Sequence, residues 1–200
     1  AYAAVEGNIA ADGRLTIPDG TIEISSKAFE NNSKVKVIEG SSVIEIHEEA
    51  FCNCENLTEV IFKSASCIGK NAFVGCNNLE KIYLKDINAC KQLYDNCPEM
   101  KRLATMGKLK LFAGINEVSY TDLAYTQEEK AKLSNLISIQ NGIIGNYEND
   151  DLRSFLVQHA INNNRVLIIP KGINEISFAA FSREPHCDFY KIIIEPDCLY

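Results

Sequence analysis

The chain has no surplus of positive charge: 20 Lys and Arg stand against 27 Asp and Glu, a formal net charge of -7. Binding to a nucleic-acid backbone needs a basic face that displaces counterions, so nucleic acid is not an expected partner. No apolar run approaches the ~18 residues that span a bilayer. The opening Ala-Tyr-Ala-Ala-Val-Glu lacks the basic and apolar regions of an export signal, so an exported form would have had that signal removed or left out. The usual marks of catalysis are missing too. There is no glycine-rich phosphate loop, no paired-carboxylate motif and no nucleophile elbow, and histidine is scarce, with three in all. His186 beside Cys187 is the obvious thiol–imidazole pair, yet sequence neighbours rarely present a thiol to an imidazole with a third orienting group. His47, next to Glu48 and Glu49, reads as a turn residue, and His159 as part of a helix face. The expectation is a protein that is not an enzyme and holds no cofactor.

What the sequence does have is 46% hydrophobic content over 200 residues, enough to bury roughly 70% of the unfolded surface. It also has a strict internal period. Ala28-Phe29, Ala50-Phe51 and Ala72-Phe73 stand 22 residues apart, and Ile24, Ile46 and Ile68 precede each Phe by five. Val35, Leu57 and Leu79 follow by six, and Ile38, Val60 and Ile82 by nine. A fourth copy places Tyr94 in the Phe column after a period of 21, with Ile87, Ala89, Leu93, Cys97, Met100 and Leu103 in the remaining columns. A fifth runs from Ile169-Pro170-Lys171-Gly172 to Ala180-Phe181, matching Ile17-Pro18-Asp19-Gly20 to Ala28-Phe29. It then carries two extra residues before Phe189, Ile192 and Ile194.

A unit this short cannot bury its own apolar face, so neighbouring units must share one core. In Leu79-Glu80-Lys81-Ile82-Tyr83-Leu84, Ile82 and Leu84 point to one side and Lys81 and Tyr83 to the other, which is strand alternation. Equivalent strands then pair about 4.8 Å apart as a parallel sheet. The stretch from Ile68 to Phe73 returns the chain along the opposite wall, with the Phe filling the interior.

Together, Ile17-Pro18-Asp19-Gly20, the Ile-x-x-x-Ala-Phe blocks, Cys54 and Cys76 three after Phe, and the Leu-x-x-Val/Ile ends resemble the BspA-like leucine-rich-repeat family over about 17–104 and 166–195. The resemblance implies a repeat solenoid with a parallel β-sheet on one face. It also implies a cell-surface or secreted location and adhesion to, or binding of, a protein ligand. A structural spacer or attachment module for another domain of a longer chain is the alternative.

Between the two matches the pattern becomes helical. Thr126-Gln127-Glu128-Glu129 is a capping box opening a helix near 126–138. Asn149 or Asp150 caps a second helix in which Leu152, Phe155, Leu156 and His159 share a face, ended by Asn162-Asn163-Asn164. Ile139-Gln140-Asn141-Gly142-Ile143 echoes Val5-Glu6-Gly7-Asn8-Ile9. The expected organisation is a first array over 1–112, a helical insertion over 113–164, and the start of a second array over 165–200, making the whole an α/β fold.

The eight cysteines divide by position. Cys54, Cys76 and Cys97 share a column and read as interior rungs, while Cys52-Asn53-Cys54 alone is a weak metal signal, so no metal is expected. A disulfide among Cys67, Cys90, Cys187 and Cys198 stays open. Asn31-Asn32-Ser33 and Asn56-Leu57-Thr58 are formal glycosylation sequons. Outward positions on three successive strands, Glu59 and Ile61, Lys81 and Tyr83, and Arg102, form the candidate binding patch. Because Ile192-Ile193-Ile194-Glu195-Pro196 is a repeat strand with no polar cap after it, the chain is expected to be a fragment, or to pair with another molecule at that end.

Overall fold

A computed structural model of the chain describes residues 9–145, 150–162, 165–177, 180–181, 189 and 191–195. The pair His186 and Cys187, the residue Cys198, the possible cap Asn149 and the echo over Val5–Asn8 lie outside them. The chain forms two compact units, Ala1–Val118 and Ser119–Tyr200.

In the first unit the elements follow the period. The strands are β1 (Arg14–Thr16), β2 (Glu23–Ile24), β3 (Val37–Glu39), β4 (Glu45–Ile46), β5 (Glu59–Ile61), β6 (Cys67–Ile68) and β7 (Lys81–Leu84). They are followed by helices α1 (Ile87–Asn96) and α2 (Pro98–Thr105), then β8 (Lys110–Ala113) and β9 (Asn116–Glu117). The odd strands β1 to β7, continued by β8 and β9, build one sheet in the order β1-β3-β5-β7-β8-β9, and the even strands β2 to β6 build a second, β2-β4-β6. Pairing is parallel throughout except for the β8–β9 hairpin. The expected parallel pairing of equivalent strands is therefore present, and the return wall is a sheet as well.

The columns explain the packing. Phe29, Phe51 and Phe73 stack with centroids 5.1 Å apart and rings 4° from parallel at each step, close to the strand spacing that sets the rise between units. Ile24, Ile46 and Ile68 and then Ile38, Val60 and Ile82 are buried beside them. Cys54 and Cys76 donate from Sγ to the carbonyls of Phe29 and Phe51, each at 3.0 Å, so the thiols act as interior rungs. Successive turns also bond through the backbone: Phe29 N–H reaches Ala50 O at 2.8 Å and Phe51 N–H reaches Ala72 O at 2.8 Å.

One left-handed column shows why residue type matters there. Asn31, Asn53 and Gly75 have φ of 59°, 57° and 79°. Asn tolerates this region and Gly adopts it freely. Asn53 Nδ2 donates to Asn31 Oδ1 at 3.0 Å. A Cβ on Gly75 would lie 2.2 Å from Asn53 Oδ1, so the ladder itself excludes a side chain at 75.

The fourth unit keeps its buried columns but changes its backbone. Leu93, Tyr94, Cys97, Met100 and Leu103 are all buried, yet they lie on α1, on α2 and, for Cys97, at the junction between them, and not on a strand and its return. Two local features impose the helices. Asp86 accepts hydrogen bonds from Asn88 N and Ala89 N as an N-cap, and Pro98 occupies the first turn of α2, where its missing N–H costs nothing. The next strand of the sheet, β8, arrives later.

In the second unit stand α3 (Tyr120–Ala124), α4 (Gln127–Ile139), β10 (Ile143–Ile144), α5 (Asp151–Asn162), β11 (Val166–Ile169), β12 (Glu175–Ile176) and β13 (Lys191–Ile194). The capping box is present, since Thr126 Oγ1 accepts from Glu129 N at 3.2 Å and Glu129 Oε2 accepts from Thr126 N at 2.8 Å. Asp150 is the buried residue at the start of α5, where it accepts from Arg153 N at 2.7 Å and from Gly145 N. α5 packs on β11, and Tyr125, Leu133, Ile144, Leu152, Leu156 and Leu167 belong to one core. Parallel pairs β10–β12 and β11–β13 run through it. On β13 the buried residue is Ile193, while Ile192 and Ile194, the expected core positions, are each 52% exposed. A one-residue shift reverses a strand's faces, and a run of three isoleucines gives the sequence nothing with which to register it.

Candidate interaction surface

The odd-strand sheet turns one row of side chains outward at each alternate position. Its register aligns Arg14, Val37, Glu59, Lys81 and Lys110 in one row, and Thr16, Glu39, Ile61, Tyr83 and Phe112 in the next. Between the rows Leu15, Ile38, Val60, Ile82 and Leu111 point into the core. Four of the five expected patch residues are brought together in this way. Glu59 sits beside Lys81, and Ile61 beside Tyr83.

Arg102 does not join them. It lies on α2, where its guanidinium pairs with Glu99 at 2.8 Å and reaches Asn77 Oδ1 at 3.5 Å. Helix capping at Asp86 and Pro98 took this segment out of the strand register that the fourth copy of the template predicted. The positions that follow Lys81 and Tyr83 on the sheet are Lys110 and Phe112. The half-buried rings of Tyr83 and Phe112 stack with centroids 4.4 Å apart and planes at 16°. The available signal was the alternation in Lys110-Leu111-Phe112, which falls off the 22-residue period.

Along the row the chemistry changes. At one end Glu39 accepts from Arg14 Nη1 at 3.2 Å and from Thr16 Oγ1 at 2.9 Å. Ile61 follows, and the aromatic pair completes the row, with Lys81 and Lys110 in the neighbouring row; Lys110 Nζ lies 3.1 Å from Glu117. A depression of about 350 Å³ opens where β1, β3 and β5 end, lined by residues that include Thr16, Asp19, Glu39, Ser41, Ile61 and Lys63. Asp19 and Ser41 are tied across its rim at 2.7 Å. Glu39 and Ile61 belong both to the row and to this depression.

Residues 13–103 match the model of the BspA type leucine-rich repeat region in six copies. This stretch is a BspA-type leucine-rich-repeat array. The family points to protein interaction as the class of function. Among solved structures, a leucine-rich-repeat protein of T. pallidum is similar at 27% identity, with a TM-score of 0.33 over 35% of this chain and 36% of that one. The match thus spans about a third of that protein's length. No curated protein matches the chain. Among the described residues, no helix is long and apolar enough to cross a membrane.

Another concavity, a groove of about 830 Å³, lies between α4 and α5 and is lined in part by Glu128, Glu129, Lys132, Phe155 and His159. Two of its titratable groups already serve the fold. Glu129 closes the capping box, and the ring of His159 stacks on Tyr125 at 3.7 Å while its Nε2 lies 3.3 Å from the Ala124 carbonyl. The thiols of Cys90 and Cys97 are equally committed to packing: burial raises Cys97 and pushes Cys90 up to about 12, which holds them as thiols and away from nucleophilic chemistry. Among the described residues, six cysteines, Cys67 and Cys90 among them, are free.

Proposed function

We propose that the chain is a non-catalytic, protein-binding repeat solenoid whose outward sheet face grips a partner across Glu59, Ile61, Lys81 and Tyr83, extended by Lys110 and Phe112. The observation that carries this reading is the stacked Tyr83–Phe112 pair on the sheet's outer face, with Lys81 and Lys110 in the neighbouring row. Half-buried aromatics beside charged residues are the composition that concentrates binding energy at interfaces. A partner segment that offers an apolar side chain to the rings and carboxylates to the lysines fits this face. Family likeness supports a setting at a cell surface or in a secreted adhesion module.

The second unit fits this reading as the opening of another array, with its helices covering the first rung. The pairing Ile144↔Ile176 repeats the form of Ile24↔Ile46, and Ile169-Pro170-Lys171-Gly172 repeats Ile17-Pro18-Asp19-Gly20.

The test is alanine substitution at Tyr83, read against a ligand recovered by pull-down. Loss of a central interface aromatic should weaken binding by about 1–3 kcal/mol, with the thermal midpoint nearly unchanged because the ring lies outside the core. Equal affinity of variant and parent would exclude this patch.

A further inference from the structure

The even-strand sheet carries a different set of groups on its outer side. Register pairs Glu23 on β2 with Glu45 on β4, and His47 lies two residues beyond Glu45, on the same side of the chain by strand alternation. His47 Nε2 is 3.2 Å from Glu23 Oε2 and 3.8 Å from Glu45 Oε2. One donor atom from each of the three residues falls within 4.8 Å of the other two. We propose that Glu23, Glu45 and His47 form a binding site for a divalent transition-metal ion of the zinc class.

Three features support the assignment. The donor spacing comes first: bonds of about 2.0–2.2 Å to a tetrahedral ion place neighbouring donors roughly 3.3–3.6 Å apart, and the two separations from the imidazole bracket that range. Small side-chain rotations bring all three donors onto one ion. Charge and ligand type come next. Two carboxylates and a neutral imidazole offset a double positive charge, and the nitrogen donor selects zinc-class ions over calcium or magnesium, which take oxygen ligands. Three protein ligands leave the fourth tetrahedral position to water.

The third feature is the space around the imidazole. In its column His47 stands between Ser25 and Gly69. A Cβ at Gly69 would come 2.5 Å from both His47 C and Glu48 N, so this neighbour is held to glycine by the backbone itself. Ser25 and Gly69 put no bulky side chain in the column beside the imidazole. Nor is the trio a by-product of the repeat. The columns that must recur are the interior ones, and Glu23 and Glu45 are followed in their own column by Cys67.

The experiment uses the full 200-residue chain and zinc ion alone, titrated against a chromophoric chelator, with folding monitored by far-UV circular dichroism. The parent should bind one ion at this site. His47→Ala and Glu23→Gln should each lower its affinity by about tenfold or more, since even changes to groups behind the ligands cost about 10–100-fold. The three side chains are 37–48% exposed and outside the core, so these variants should retain the parent's spectrum. Cys67→Ser should retain binding. Unchanged affinity in His47→Ala, loss of binding in Cys67→Ser alone, or no measurable binding by the parent would each overturn the proposal, the last leaving the trio as a simple ion pair of imidazolium and carboxylates.

Discussion

Phe51 meets Phe29 on one side and Phe73 on the other at 5.1 Å, with Phe62 at 6.1 Å. Neighbouring rungs hold that space open from both sides, so the cavity left by Phe51→Ala cannot collapse. The variant should lose about 3–5 kcal/mol of stability, visible as a drop of many degrees in the thermal midpoint; a change of less than about one degree would refute the stack. These interior positions were legible because packing demands the same residue type at every turn. The outward positions were legible only in part. Tyr83 followed from alternation within its own strand, but Lys110 and Phe112 take the next sheet position 29 residues after Lys81 and Tyr83, where no fixed period could place them. Glu23 and His47 were unreadable as partners for a related reason: nothing local joins them, and only the rung-to-rung register makes them neighbours.

Helix α4 depends on the reciprocal cap at its first turn. The backbone hydrogen bond from Thr126 lowers the pKa of Glu129 below the usual carboxylate value, with the Thr126 side chain adding to it. A carboxyl whose folded pKa is depressed contributes stability above its unfolded value of about 4.3 and loses it as pH falls through the lower folded value. Thr126→Ala should therefore cost about 0.5–2 kcal/mol near neutral pH. The gap between variant and parent should narrow in acid, as chemical denaturation at about pH 7 and about pH 3 would show. A gap that widened on acidification would contradict this account. The capping box was readable because its four residues are contiguous. Helices α1 and α2 were hidden because Leu93, Tyr94, Cys97, Met100 and Leu103 satisfy the repeat columns and a helical spacing alike. The deciding residues, Asp86 and Pro98, act on the backbone and leave no mark on the hydrophobic pattern.

At the scale of the molecule, the first unit is closed at its far end by its own elements. α1 and α2 replace a fourth strand pair, and the antiparallel β8–β9 hairpin ends the parallel ladder. Ends finished in this way do not need a further turn. A chain stopping at Val118 should thus unfold in one cooperative transition, followed by circular dichroism, and should resist limited proteolysis; a broad, uncooperative melt would show that the closing elements are insufficient. Further back, the hydrogen bonds that run from Phe29 to Ala50 and from Phe51 to Ala72 have a consequence for how such a protein changes over generations. The 22-residue turns at Phe29, Phe51 and Phe73 repeat the same carbonyls and the same ring, and the second and third repeat the same thiol, so a copied block of 22 residues finds its partners waiting, whereas one extra residue within such a turn displaces them together. Over its regular turns the array is quantised: there the ladder is kept only by lengthening or shortening in whole turns, and the reach of that part of the sheet face is inherited as an integer.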